Sequence, residues 1–368
     1  MEKKSKVRKI LKIAGIVFLS LIILLVLTVG VMFTIDKISD GEDWKKLQEA
    51  GYVNQVSVGS HNLNVCTKGN PDASYTVVSI AGLNSMANVV EMEPVTNQLT
   101  DKYCFAFVDR SGYGLSDDTH EEQTVEQIVS DYRTALVNAG VKAPYVLMAH
   151  SLGGVYASYW QQNYPDEIKA VIYLDPTQIG SLDDFAEEMS SRHADFGMYM
   201  NVVFSKLGID RFVFDPTEYV ANLQTQEQKD YALMIWRRCP MSWTVCSEEN
   251  NYFDNVRKTS DQLTPNEIPK LYIDAQAYTV EDALEKIAYS KKIAEEAGKD
   301  TAEIVMMEDI VDDRFVEAMK AFFDKNIQTY IDKLGNVTYV NIPGDHSIFK
   351  HKPDEVAKAI GDFLENLK

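Results

Sequence analysis

The stretch Ala149-His150-Ser151-Leu152-Gly153-Gly154 surrounds Ser151 with what a serine needs to become a nucleophile. It lies between an apolar run, Tyr145 to Met148, and a helix-like stretch, Val155 to Tyr164, so Ser151 falls on a strand-to-helix turn, a nucleophile elbow. Such a turn holds the serine in a tight, strained backbone conformation that lifts its hydroxyl clear of the sheet, and small neighbours let strand and helix pass closely. The usual pattern is Gly-x-Ser-x-Gly, and Ala149 replaces the first glycine with the next smallest side chain. A serine hydroxyl is too weakly acidic to attack a carbonyl unaided, so the rest of the chain must supply a base within hydrogen-bond reach.

The elements that would position this turn are legible as alternating strands and helices. Gln55 to Val58 and Asn62 to Thr67 read as two strands joined at Gly59-Ser60, followed by continuous apolar strands at Tyr75 to Ile80 and Tyr103 to Val108, as expected for a sheet covered on both faces. A helix is expected at Val89 to Leu99. A second runs from Thr124 to Ala139, with Thr124 and Gln127 as a capping box and Gly140 as its stop. After the elbow come strands at Ala170 to Leu174, Lys270 to Ile273 and Asn336 to Ile342, and a closing helix from Asp354 to Leu367. The spacing predicts an α/β fold with a mostly parallel central sheet and helices on both faces. Residues 176–269 break the rhythm and read as a helical lid after the sixth strand, and residues 279–333 as a second helical insertion.

Before the domain, Lys3, Lys4, Lys6, Arg8, Lys9 and Lys12 precede an uncharged apolar run from Ile13 to Ile35, about the 20 residues a helix needs to cross a bilayer. The basic flank of residues 1–12 should stay cytoplasmic, which puts the catalytic domain, 51–368, on the extracellular side of the cell membrane. The run is longer than a secretory signal core and lacks a small-x-small cleavage site, so it reads as an uncleaved, single-pass signal anchor, with 36–50 as a polar stem. A formal charge of −19 on the 368-residue chain argues against nucleic acid or an anionic lipid surface as a partner of the soluble part, because both would repel it. Cys239 and Cys246 are close enough in sequence to bridge within the lid; the alternative is four reduced thiols, with Cys66 and Cys104 in strands. No histidine or cysteine stands at metal-ligand spacing from the carboxylates, so no metal or cofactor is expected.

From about Gln55 to Leu367 the chain resembles the α/β-hydrolase fold family. The resemblance rests on Ala81-Gly82-Leu83-Asn84-Ser85 after the third strand, Asp109-Arg110-Ser111-Gly112-Tyr113-Gly114-Leu115-Ser116-Asp117, the Ser151 elbow, Leu174-Asp175-Pro176, and Gly344-Asp345-His346-Ser347 before the last helix. It implies Ser151 as nucleophile and His346 as general base. It also implies an oxyanion hole made by the backbone N–H groups of Leu83 and Leu152, where losing one such donor costs about 3–4 kcal/mol. The oxyanion loop carries Ala81-Gly82 in place of the family's usual His-Gly pair, which leaves its support unassigned. The acid that orients the base is Asp175, a position some members use, with Asp274, Glu281 and Asp282 as rivals near the more usual place; Asp345, beside His346, should diverge from it. His150 belongs to the turn and is expected to point elsewhere, and the Asp109 to Asp117 segment to be structural. His61, His120, His193 and His351 match no signature.

These residues imply a membrane-anchored serine hydrolase that cleaves carboxylic esters, esterase- or lipase-like, through an acyl-enzyme on a small-molecule or lipid-like substrate. The same residues could serve a peptidase, an acyltransferase or a perhydrolase, and the fold also serves non-catalytic binding modules. The apolar lid stretch Phe196 to Phe214 reads as packing of lid helices on the core, or as a wall for an acyl group.

Overall fold

The computed structural model describes residues 2–180 and 190–367, so the part of the expected lid at 181–189 lies outside the described residues. Eight strands form one sheet in the order β1-β2-β4-β3-β5-β6-β7-β8: β1 Gln55–Ser57, β2 Asn62–Gly69, β3 Thr76–Ile80, β4 Cys104–Val108, β5 Tyr145–His150, β6 Ile168–Leu174, β7 Lys270–Asp274 and β8 Val337–Asn341. β1 and β2 pair antiparallel, β2 joins β4 antiparallel, and β4 through β8 are parallel. The apolar runs of β3, β4, β5 and β6 are buried, because helices cover both faces of the parallel part. From β3 the chain crosses to β4 on one side and then to β5 on the other. The crevice at the carboxyl ends of β3 and β5 is thus a topological switch point, where open α/β sheets bind their ligands.

Helix boundaries follow local chemistry. Thr124 caps the helix Val125–Asn138 through the Gln127 N–H, but the Gln127 side chain turns to Asp131 instead of completing the box. The helix expected at Val89 to Leu99 is two short turns, Asn88–Glu91 and Glu93–Thr96, broken ahead of Pro94, whose ring cannot continue the first turn. Among the described residues, 176–269 contain helices and no strand: Phe196–Lys206, Asp210–Val213, Thr217–Val220, Gln226–Arg238, Trp243–Asn250 and Tyr252–Gln262. The second insertion forms Val280–Glu296, Ala302–Glu308 and Asp313–Leu334. Its last helix packs into the core through Ile327, Tyr330 and Leu334, and its first meets the lid where Lys299, just past its end, pairs with Glu218. All four cysteines are free thiols, Cys239 and Cys246 included.

The N-terminal helix is continuous from Glu2 to Glu49. Its apolar run stands clear of the domain and is long and apolar enough to cross a membrane. Residues 36–50, expected as a polar stem, instead prolong this helix onto the domain. Leu47 is fully buried within the core cluster on one face of the sheet, and Trp44 packs against that cluster. Polar composition suggested a solvated linker, whereas Asp36, Asp40 and Asp43 are paired with lid arginines.

The elbow depends on close approach. A Cβ on Gly153 would lie 2.4 Å from the Ile80 carbonyl oxygen, so the elbow helix meets β3 without room for a methyl. Gly153→Ala should therefore destabilise the domain by about 1–3 kcal/mol through overpacking, read as a lowered urea midpoint with unchanged slope.

Candidate active site

Ser151 closes β5 with φ of +51°, in the left-handed region that a non-glycine residue adopts only at a cost, and the helix Gly153–Asn163 begins two residues later. Its backbone is held from β6, where the Ser151 N–H donates to the Leu174 carbonyl at 3.3 Å and the Thr177 N–H donates to the Ser151 carbonyl at 3.0 Å. Gly82, at the end of β3, is the other close approach: a Cβ there would fall 2.9 Å from the Ser151 Cβ. Neither the Leu83 nor the Leu152 N–H has an acceptor among the described residues. Two free donors thus flank the serine, Leu152 at the amino-terminal end of the elbow helix, where the helix dipole also favours negative charge.

At the ends of β6 and β8 the chain brings Asp175 and His346 together. His346 Nδ1 lies 2.6 Å from Asp175 Oδ2, while Asp175 Oδ1 accepts from the Ala275 N–H at 3.2 Å. Asp175 is buried, with φ of +40°; the His346 side chain is 54% exposed. Desolvation lowers the imidazole pKa, but the hydrogen bond and charge of Asp175 outweigh it, with a smaller push from Asp345, and the net is above histidine's ordinary value.

The rivals of Asp175 are engaged elsewhere. Asp274 Oδ2 accepts from the Tyr339 hydroxyl at 2.7 Å and from Asn341 Nδ2 at 3.2 Å, and Oδ1 from the Gln276 N–H. Asp282 bonds the Thr279 hydroxyl at the start of Val280–Glu296, and Glu281 is exposed on the same turn. Asp345 turns back to accept from the Ser347 N–H at 2.9 Å.

Two further histidines hold the His346 loop. His150, expected to point elsewhere, lies under it: its Nε2 is 3.0 Å from the His346 carbonyl, its ring is tilted against that of His346 with centroids 4.7 Å apart, and Phe349 meets it edge-on. A carbonyl only accepts, so His150 carries its proton on Nε2. Burial, with His346 nearby, drives its pKa well down and keeps it neutral. His351 stacks on Tyr289 at 3.7 Å and accepts from the Asp345 N–H at 3.1 Å, also favoured neutral by desolvation. Among the described residues no hydrogen bond joins the Ser151 hydroxyl to His346; such bonds often tighten only with substrate in place. His61 forms a similar-looking group with Ser111, 2.6 Å from Nε2, and Asp131, 3.7 Å away, but all three are buried and the adjoining void of about 10 Å³ admits no substrate.

The loop Ala81-Gly82-Leu83 is supported by Arg110. Its guanidinium donates to the carbonyls of Ala81, at 2.5 Å, and Gly82, at 2.9 Å. Glu248, in the lid helix Trp243–Asn250, lies 3.1 Å from the other edge, and the hydroxyls of Tyr113 and Tyr156 donate to the same carboxylate. The Asp109 to Asp117 turn is structural, as expected: Asp109 accepts from the Leu115 N–H, and burial pushes its carboxyl up to about 7. Within it Arg110 carries a role that sequence reasoning missed. Glu248, 138 residues away in an unremarkable helix, offered no signal at all.

A cavity of about 430 Å³ runs from Asn84, next to Leu83, to the lid, lined by Phe204, Val213, Phe214, Trp236 and Met241. The apolar stretch Phe196 to Phe214 is thus divided. Val202 is buried, Phe204 and Phe214 line the cavity, and Phe196 and Phe212 project outward. Among the described residues no group of three or more His, Cys, Asp or Glu side chains could hold a metal ion.

Comparison with known proteins fits this architecture. The family model described as alpha/beta hydrolase fold matches residues 75–302, more than half of the chain, and the protein belongs to that family. The chain is 25% identical over 361 residues to YbdG of Bacillus subtilis, covering 97% of this chain and 98% of that one, so the similarity takes in the N-terminal helix as well as the domain. It is 28% identical over 123 residues to 2-(acetamidomethylene)succinate hydrolase of Mesorhizobium japonicum, 33% of this chain and 42% of that one. Among solved structures, an epoxide hydrolase from Bacillus megaterium superposes with a TM-score of 0.57 at 14% identity, over 85% of this chain and all of that one, a likeness of fold.

Removing one partner of a buried ion pair costs about 3–5 kcal/mol. Glu248→Ala, which strips Arg110 of its counter-charge, should lower the unfolding free energy by that order in urea titration; an unchanged midpoint would contradict the clamp.

Proposed function

We propose that this protein is a membrane-anchored serine hydrolase that cleaves carboxylic esters, with its catalytic domain on the outer side of the cell membrane. The observation that carries the proposal is the 2.6 Å contact between Asp175 and His346 at the strand ends beside the elbow. Ser151 attacks the ester carbonyl while His346 Nε2 takes its proton, and Asp175 holds Nδ1–H and steadies the imidazolium. The oxyanion is received by the Leu83 and Leu152 N–H groups, the first held in place by Arg110 through the Ala81 and Gly82 carbonyls and the second by the elbow turn. His346 returns the proton to the departing alcohol, leaving an acyl-enzyme on Ser151. A water deprotonated by His346 then releases the acid. The aromatic and aliphatic side chains that line most of the lid cavity, with the carboxyl of Asp210 beside them, favour an acyl group over an anionic substrate. Although the fold likeness extends to an epoxide hydrolase, a serine at the elbow supports acyl transfer over epoxide opening.

Hydrolysis of p-nitrophenyl esters checks the acid. Asp175→Asn should cut kcat by about 10⁴-fold through the wrong histidine tautomer, while Glu281→Gln and Asp282→Asn stay near wild type; the reverse ranking would move the acid to the β7 loop. The base must be neutral to act. With its pKa raised, kcat/KM should climb with pH through a midpoint above the ordinary 6.5, and residual Asp175→Asn activity should have that limb moved to lower pH.

A further inference from the structure

The membrane-crossing helix is fastened to the lid at the point where its apolar run ends. Ile35 closes the run, and the next residue, Asp36, is buried and accepts from Arg211 Nε at 3.0 Å. Arg211 also reaches Asp43 Oδ2 at 3.2 Å, two helical turns further along. Gly208, with φ of +68°, lies so close that a Cβ there would meet the Asp36 Cβ at 2.5 Å. Higher up, Arg238 of the lid helix Gln226–Arg238 bonds Asp40 at 2.6 Å and covers the Trp44 ring at 4.4 Å. These contacts fix the lid to the helix at three levels, the lowest at the boundary of the apolar run.

At a rise of about 1.5 Å per residue, Ile13 to Ile35 spans roughly 35 Å, enough for the hydrocarbon of a bilayer. Asp36 then lies in the headgroup layer, and so does the lid turn bonded to it. Among the described residues no element covers Leu207, Phe212 (46% exposed) and Val213 (67% exposed) on that turn. Val213 belongs at the same time to the cavity that reaches back to Asn84. Acidic side chains at this boundary would be repelled by anionic headgroups, but Asp36, Asp40 and Asp43 are balanced by three cations, Arg211, Arg238 and Lys37, the last 3.3 Å from Asp36.

We propose that the lid turn from Leu207 to Val213 is seated on the bilayer that the N-terminal helix crosses, so that the cavity opens toward lipid and Ser151 draws its substrate, an ester with a long acyl chain, from the membrane. This rests on the membrane-anchored serine hydrolase reading and adds the direction of substrate entry and its class. Burying apolar side chains at the interface is favourable by about 25 cal/mol per Å², and the helix makes that contact intramolecular.

The test uses full-length protein in phosphatidylcholine vesicles containing a 5-doxyl lipid. An environment-sensitive fluorophore is attached to single cysteines at Val26→Cys in the apolar run, Phe212→Cys in the lid turn, and Val137→Cys at the opposite end of the strands, beside Tyr145, in a chain whose four native cysteines are replaced. Strong quenching at 26 and 212 with none at 137 is the expected result. Quenching at 26 alone overturns the seated lid while leaving the anchor intact, and no quenching at 26 removes the anchor and the proposal together. In the same vesicles Phe212→Asp should lower hydrolysis of a membrane-resident long-chain ester about tenfold and leave p-nitrophenyl acetate unchanged. Equal effects on both esters would contradict entry from the bilayer, and loss of p-nitrophenyl acetate turnover in the wild type would instead count against the esterase reading.

Discussion

A buried guanidinium ties this molecule together. Arg110, at the end of β4, holds two carbonyls of the loop after β3 with one edge and a lid carboxylate near the other, within a shell of tyrosines. A charge taken this far from water is tolerable only when every neighbour is in place. The sheet, the loop after β3 and the lid therefore meet at one ionic centre, which holds the backbone just before the Leu83 N–H in place. Support for the loop comes from below, through the Ala81 and Gly82 carbonyls.

The same economy of contact governs His346. His346 sits on an exposed loop, where an unsupported side chain would wander. Asp175 holds its ring and raises its pKa. His150 and His351, both favoured neutral, hold the backbone on either side through bonds to the His346 carbonyl and the Asp345 N–H. Because the second helical insertion contributes Tyr289 to this packing, it forms part of the wall behind the base. On the far side, lid and N-terminal helix share a row of arginine–aspartate pairs, so the orientation of the cavity is coupled to that of the helix.

Much of this was legible in the sequence, for identifiable reasons. Strands buried on both faces announce themselves as unbroken apolar runs, and a serine among small residues between strand and helix marks the elbow. What the sequence left open was decided by long-range geometry. Asp175, Asp274, Glu281 and Asp282 are equivalent as residue types, and only the register of β6 against β7 and the bonds from Tyr339 and Asn341 separate them. Glu248 and His150 carry no local pattern that distinguishes a supporting role from a solvated or packed one. Residues 36–50 looked like a stem because helical continuation and docking depend on arginines some 170 and 200 residues away.

The central claim is that Ser151 is a nucleophile activated by His346. Reaction of the folded wild-type protein with a fluorophosphonate, followed by mass-spectrometric mapping of the adduct, tests it directly. The account predicts one phosphonyl group on Ser151, formed faster as His346 loses its proton and absent in Ser151→Ala. A folded wild-type protein left unmodified, or an adduct that persists at another serine in Ser151→Ala, would contradict it.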